Sequence, residues 1–182
     1  ERPRWFTVNE AEAPPTSLRT GWEALEWSPA AAAEHLGTRE RAGIFDMSTF
    51  AKFEIQGKGA LRFLQLIAAN QMDRPVGTVT YSALLTHSAG IRCDVTIIRT
   101  DPERFLLITG GSTGSYDLSW IKAQSNMRSD VEFNDISDEL CCIGLWGPRS
   151  REILAAITTD DVSNAAFPYL VARKLTVNHV EV

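Results

Sequence analysis

The residue of this sequence that most asks for a chemical reason is Asp94, an acid set in the apolar stretch IRCDVTII. A carboxylate buried there without partners would cost stability. In a pocket it could orient an N–H group, stabilise developing positive charge or accept a proton. Tyr81, in VTYSALL, falls on the strand across the following turn, so the two side chains can line one pocket. Strand alternation alone turns Asp94 to solvent, opposite Cys93 and Val95, and periodicity favours that plainer reading.

The other chemical residue types read as ordinary structure. His35 sits inside AAAAEHLGTRER, where a lone histidine is a partly exposed helical residue sooner than a ligand or base. His87 falls at a hairpin tip and His179 near the last residues, and no two histidines have metal-ligand spacing. Ser112 follows TGG without the G-x-S-x-G elbow that exposes a hydrolase nucleophile. The glycines of TGGSTG match neither phosphate-binding fingerprint and read as a loop between strand and helix. Three cysteines, Cys93 and the adjacent Cys141 and Cys142, lack C-x-x-C spacing, so neither a disulfide framework nor a zinc site is indicated. The vicinal pair is expected in an apolar strand as core, in a reducing compartment.

These residues need elements to hold them. Residues 1–29 place Trp5, Phe6, Trp22 and Trp27 among Pro14, Pro15 and Gly21, which predicts an extended arm anchored by aromatics. Residues 30–182 form the rest of one domain. A helix is expected from Ala30 to about Ala42, with Gly43 as its C-cap. A strand from Phe50 to Ile55 closes in a turn at Gly57 and Gly59. Leu61, Leu64, Ile67 and Ala68 are spaced for a helix that Asn70 can end. Gly77 to Arg99 reads as a hairpin turning at His87 to Gly90. RFLLITG follows as a strand and SYDLSWIKAQSN as a helix with Leu118 and Ile121 on one face. VEFNDIS, then LCCIGLWGP as a strand, SREILAAIT as a helix beginning at Ser150, a loop from Ser163 to Phe167 and strand-like LTVNHVEV complete the order. Hairpins in place of regular βαβ alternation predict an α+β fold of mixed and antiparallel sheets with packed helices. Ending in strand-like sequence points to a fragment of a larger protein.

Bulk composition bounds the function. With 182 residues, 44% of them hydrophobic and 23% charged, the chain can bury a core of its own. A net charge of -5 and a pI near 5.2 argue against a nucleic-acid groove or an anionic membrane surface. The apolar runs Val95 to Ile98 and Phe105 to Ile108 fall far short of the ~20 residues needed to span a bilayer. Glu1 to Trp5 is charged and lacks a following apolar region, unlike a signal peptide.

Taken in order, GIFDMSTFAKFEIQGKGALRFL, AANQMDRPVGTVTYSALL, AGIRCDVTIIR and RFLLITGGS resemble the glycine cleavage T-protein family of folate-dependent aminomethyltransferases. The resemblance runs from about Glu1 to the end. ERPRWF, STFAKF and SDELCCIGLWGPRSREIL resemble the folate domains fused behind a flavin domain in dimethylglycine and sarcosine dehydrogenases. The resemblance implies that Asp94, the acid of the family's G-I-x-x-D element, hydrogen-bonds tetrahydrofolate and supports attack of a folate nitrogen on a one-carbon unit. It implies that Tyr81 and Phe50 wall the folate pocket, with Thr96 and Gly110 at further pocket positions. Two departures bear on this: Cys93 stands where free T-proteins often carry an acid, and Gly110 where they carry asparagine. The family's S-Y-x-G-E-x-G-W-E element, which completes the pocket, normally follows the position of Val182, so the resemblance implies the N-terminal portion of a folate domain with three subdomains. Its missing C-terminal half is then an expected partner.

The implied reaction is capture, by tetrahydrofolate, of the carbon from an N-methyl amine oxidised by FAD in an upstream partner domain, giving 5,10-methylenetetrahydrofolate. FAD is not expected on this chain, which lacks a nucleotide fingerprint. Two alternatives are a non-catalytic folate-binding or scaffold module and a tetrahydrofolate-dependent O- or S-demethylase of the same fold. The related enzymes imply a bacterial cytoplasm or a mitochondrial matrix.

Overall fold

The computed structural model describes residues 29–125 and 130–182, so the aromatic arm expected over 1–29 lies outside the described residues apart from its last position. Two compact units emerge among the described residues: 29–45 together with Gly144–Ile157, and Asp46–Ile143 together with Thr158–Val182.

In the first unit, α1 (Pro29–Glu40) is rich in alanine, the strongest helix former. It ends at Glu40, and Gly43 opens strand β1 (Gly43–Asp46) instead of capping the helix. Glycine is needed there for closeness, since a Cβ would lie 2.4 Å from Thr38 Oγ1. Strand β1 pairs with β7 (Ile143–Trp146), and α4 (Ser150–Ile157) follows. Between them Gly147 takes φ +111, and a Cβ there would meet Thr38 O at 2.5 Å. The backbone N–H of Arg149 then donates to Arg41 O at 2.9 Å.

The second unit is built on a five-stranded sheet in the order β3-β4-β5-β2-β6. Its strands are β2 (Ala51–Gln56), β3 (Val79–Leu85), β4 (Ile91–Asp101), β5 (Arg104–Thr109) and β6 (Glu132–Asp135), and each neighbouring pair is antiparallel. Alternation supplies one face with Ala51, Phe53, Ile55, Leu84, Val95, Ile97, Phe105 and Leu107, all buried. Helix α2 (Ala60–Ile67) adds Ala60, Phe63, Leu64 and Ile67, the i, i+3, i+4, i+7 stripe of an amphipathic helix. Helix α3 (Gly114–Gln124) adds Leu118 and Ile121, and these residues form one apolar cluster. Phe63 meets Phe133 edge to face, centroids 5.3 Å apart.

Helix α2 stops at Ile67, not at Asn70: Ala68 turns extended and bridges to Leu84. Asn70 instead serves the sheet edge, its Nδ2 donating to Tyr81 O at 2.6 Å and its N–H to Ser82 Oγ at 3.0 Å. Val171 bridges to Thr78 beyond the other end of β3, so that edge is partly closed. Cys141 is exposed and Cys142 half-buried, contrary to the expectation of a core pair. The strand begins only at Ile143, and Cys142 lies in a connector where its N–H bonds Ser48 Oγ and its carbonyl accepts from Met47 N–H. The strand-like C-terminal residues form only the short hairpin β8 (Thr176–Val177) and β9 (Val180–Glu181). The mixed α+β architecture with antiparallel sheets agrees with the reading of the sequence.

Candidate functional site

The face of the sheet opposite the core carries Asp94. Val95 is 1% exposed and packs inward, so alternation along β4 sends Asp94 and Thr96 outward. On β3, Tyr81 pairs with Thr96 and Ala83 with Asp94, which puts Tyr81 one diagonal step from the acid. Tyr81 Oη donates to Asp94 Oδ2 at 3.0 Å. The ring stays 63% exposed, so a flat ligand has access to it. The hydrogen bond to Asp94, reinforced by that carboxylate's charge, holds the Tyr81 phenol above its ordinary value. Asp94 Oδ1 has no hydrogen-bond partner among the described residues and is open to a ligand N–H.

Gly110 follows β5 and its carbonyl accepts from the N–H of Thr113 at 3.3 Å. Phe50 directly precedes β2 and Gly110 directly follows β5, each one residue beyond the paired positions Ala51 and Thr109. Gly111 seals this approach, because a Cβ on it would lie 1.6 Å from Thr49 O and 3.5 Å from Phe50 N. Phe50 itself is half-buried in a turn closed by its N–H to Met47 O at 3.0 Å. The expected site residues thus fall into a bonded pair, Asp94 with Tyr81, a neighbour across the ladder, Thr96, and two residues at the adjoining strand ends, Gly110 and Phe50. Thr96 and Gly110 bring a hydroxyl and a carbonyl that the structure does not bond to Asp94.

Two buried charged groups escaped the reading of the sequence. Lys52 is 2% exposed, and its Nζ donates to Ser48 O and Phe50 O, both at 2.9 Å, so it ties down the turn that carries Phe50. Asp117 is 1% exposed on α3 and lies 3.0 Å from Arg92 Nη2 as a charge contact, without hydrogen-bond alignment. The signal for Asp117 was present: it sits three residues after Gly114 and four before Ile121, on the helix's buried stripe. For Lys52 the signal was weaker, a basic residue between Ala51 and Phe53 in a strand otherwise read by alternation. Cys93 packs against the core, and burial first, then the charge of Asp117, pushes its thiol above the ordinary value. It therefore offers no ligand contact equivalent to an acid.

Among the described residues no cluster of His, Cys, Asp and Glu is arranged to hold a metal, and no helix is long and apolar enough to cross a membrane.

Comparison with known proteins gives this geometry a lineage. Dimethylglycine dehydrogenase, mitochondrial, from Homo sapiens is 31% identical over 183 residues, covering 100% of this chain and 21% of that protein. 4-Methylaminobutanoate oxidase (formaldehyde-forming) from Paenarthrobacter nicotinovorans is 33% identical over 179 residues, covering 97% of this chain and 21% of that one. The chain thus spans about a fifth of the length of these relatives. Among solved structures, the glycine cleavage system aminomethyltransferase T from Bartonella henselae superposes with a TM-score of 0.63 at 27% identity, covering 68% of this chain and 34% of that one. The GCVT N-terminal domain family matches residues 1–182 throughout, and the chain belongs to that family.

Proposed function

We propose that this chain contributes the Asp94 side of a tetrahydrofolate site, in a protein that captures the carbon of an oxidised N-methyl amine as 5,10-methylenetetrahydrofolate. The observation that carries the proposal is the Tyr81–Asp94 hydrogen bond on the open sheet face, an exposed aromatic ring beside a carboxylate with one oxygen free. Such a pair suits a flat heterocycle bearing N–H donors.

Tetrahydrofolate, when bound, supplies the nucleophilic nitrogen that takes up the one-carbon unit. Asp94 Oδ1 accepts a hydrogen bond from that nitrogen and takes its proton as positive charge develops, a contribution worth ~10²- to 10⁴-fold for a positioned base. Tyr81 fills the second carboxylate oxygen, fixing which one faces the ligand. On this reading Phe50 and the Tyr81 ring flank the bound heterocycle, Thr96 offers it a hydroxyl and Gly110 borders it. The oxidation belongs to an FAD domain elsewhere in the protein, in keeping with relatives whose names are those of an amine dehydrogenase and an amine oxidase. The remaining wall of the pocket belongs to further polypeptide, consistent with how small a part of those relatives this chain spans.

The test is calorimetric titration of tetrahydrofolate into the full-length protein and its Asp94→Asn variant. Loss of a hydrogen bond to a charged acceptor should weaken binding by ~10- to 100-fold. Equal affinity in the two proteins would sink the proposal. A second reading, in which the fold binds folate without transferring carbon, is favoured by the relative whose name specifies formaldehyde as product. Isotope-labelled amine turned over with tetrahydrofolate separates the two: label in methylenetetrahydrofolate supports capture, and label in free formaldehyde alone supports the scaffold.

A further inference from the structure

Antiparallel pairing between β3 and β4 slips by one residue just before Asp94: Leu84 faces Cys93, but Leu85 faces Ile91. Arg92 is the extra residue of this bulge. Regular alternation would give it Asp94's face of the sheet, and the bulge re-aims it. Its guanidinium lies 3.0 Å from Asp117, whose side chain is fully enclosed, and stacks 3.9 Å above the exposed Tyr116 ring. Asp117 Oδ2 also accepts from Thr113 Oγ1 at 2.7 Å, and the Thr109 hydroxyl stands 3.3 Å away. That same hydroxyl stands 3.3 Å from the backbone carbonyl of Asp94. Its single proton goes to one acceptor at a time, so Thr109 stands between the buried acid and the carbonyl of the exposed one and bonds either in turn. Asp117 thus reaches the strand at Arg92, two residues before Asp94, and shares the Thr109 proton with the Asp94 carbonyl.

From this geometry we infer that Asp117 is a positioning residue for Asp94, acting through Arg92 and Thr109. This deepens the folate reading and rests on it. A buried acid placed to anchor a bulge fixes where the strand's next outward carboxylate stands. Misplacing a carboxylate that meets its ligand through one hydrogen bond forfeits at most what that bond contributes, ~10- to 100-fold in affinity.

The experiment is a double-mutant cycle on tetrahydrofolate affinity in the full-length protein. Asp117→Asn and Thr109→Val are each made with Asp94 present and with Asp94→Asn. Asp117→Asn leaves Arg92 without its anion and can compromise folding. Thr109→Val keeps the ion pair, removes only the linking hydroxyl and decides the matter alone if the first variant does not fold. The expected result is about tenfold weaker binding with Asp94 present and no further loss in the Asp94→Asn background. Thr109→Val binding as wild type while Asp94→Asn is impaired overturns the inference and leaves the folate reading standing. An equal loss in both backgrounds also overturns it, because a merely structural defect ignores Asp94. Undiminished affinity in Asp94→Asn itself removes the folate reading, and the inference with it.

Discussion

Tyr81 is fully open to solvent on one side and bonded to Asp94 on the other, so its proton reports on the carboxylate directly. With the phenol held above its ordinary value of 10.0, the folded protein retains a proton that the unfolded chain has released. The contact therefore contributes its stability fully below the unfolded pKa and loses it as pH rises through the raised folded one. Because the ring is exposed, solvent screens the effect and its size is small. Replacing Asp94 by Asn removes both the charge and the strongest acceptor, so the Tyr81 phenol should titrate at lower pH in that variant. Tyrosine ring-carbon NMR shifts followed through alkaline pH measure this, and an unchanged midpoint would mean that the Tyr81–Asp94 bond is not formed in solution. At this scale much of the candidate site could be read from the chain, because period-two alternation and a hairpin turn are enough to set Tyr81 and Asp94 on one face. What escaped were Lys52 and Asp117, whose meaning depends on partners that only the folded sheet supplies: two carbonyls for one, a bulged arginine for the other.

At the scale of elements, the loop between β5 and α3 is where a single atom decides the structure. Gly111 sits so close to the Thr49 carbonyl that any side chain must displace the turn carrying Phe50. Gly111→Ala should cost ~1–3 kcal/mol as an overpacked contact, measured as a lower urea midpoint at unchanged slope. A midpoint within error of wild type would refute the close approach. The long elements were legible because their patterns are local: the α2 stripe and the β3–β4 hairpin announce themselves within a few residues. The pairing of β1 with β7 was not, since two four-residue strands far apart in the chain leave no periodicity that joins them. The same limit misplaced Gly43 and Asn70. Each is a good terminator of helices by type, yet the β3 edge claims Asn70 and the helix before Gly43 already stops at Glu40.

For the molecule as a whole, the apolar cluster between the sheet and α2 and α3 is the main source of stability in the second unit. Phe63 is fully buried at its centre. Phe63→Ala should remove ~3–5 kcal/mol, read from urea unfolding followed by circular dichroism. A loss under about 1 kcal/mol would place Phe63 outside a close-packed core. The α+β class followed from the order of elements, whereas the division into two units did not, because it depends on a late segment, Gly144–Ile157, joining residues 29–45.

Strand β4 writes two messages in alternate letters. Val95 and Ile97 spell the core, and Asp94 and Thr96 spell the open face. The Arg92 bulge absorbs one extra residue ahead of Asp94; past it, a slip of one residue against β3 and β5 would swap the two messages, exposing Val95 and Ile97 while driving the acid inward. In this strand, then, the outward placing of the acid and the burial of the core are a single choice of register.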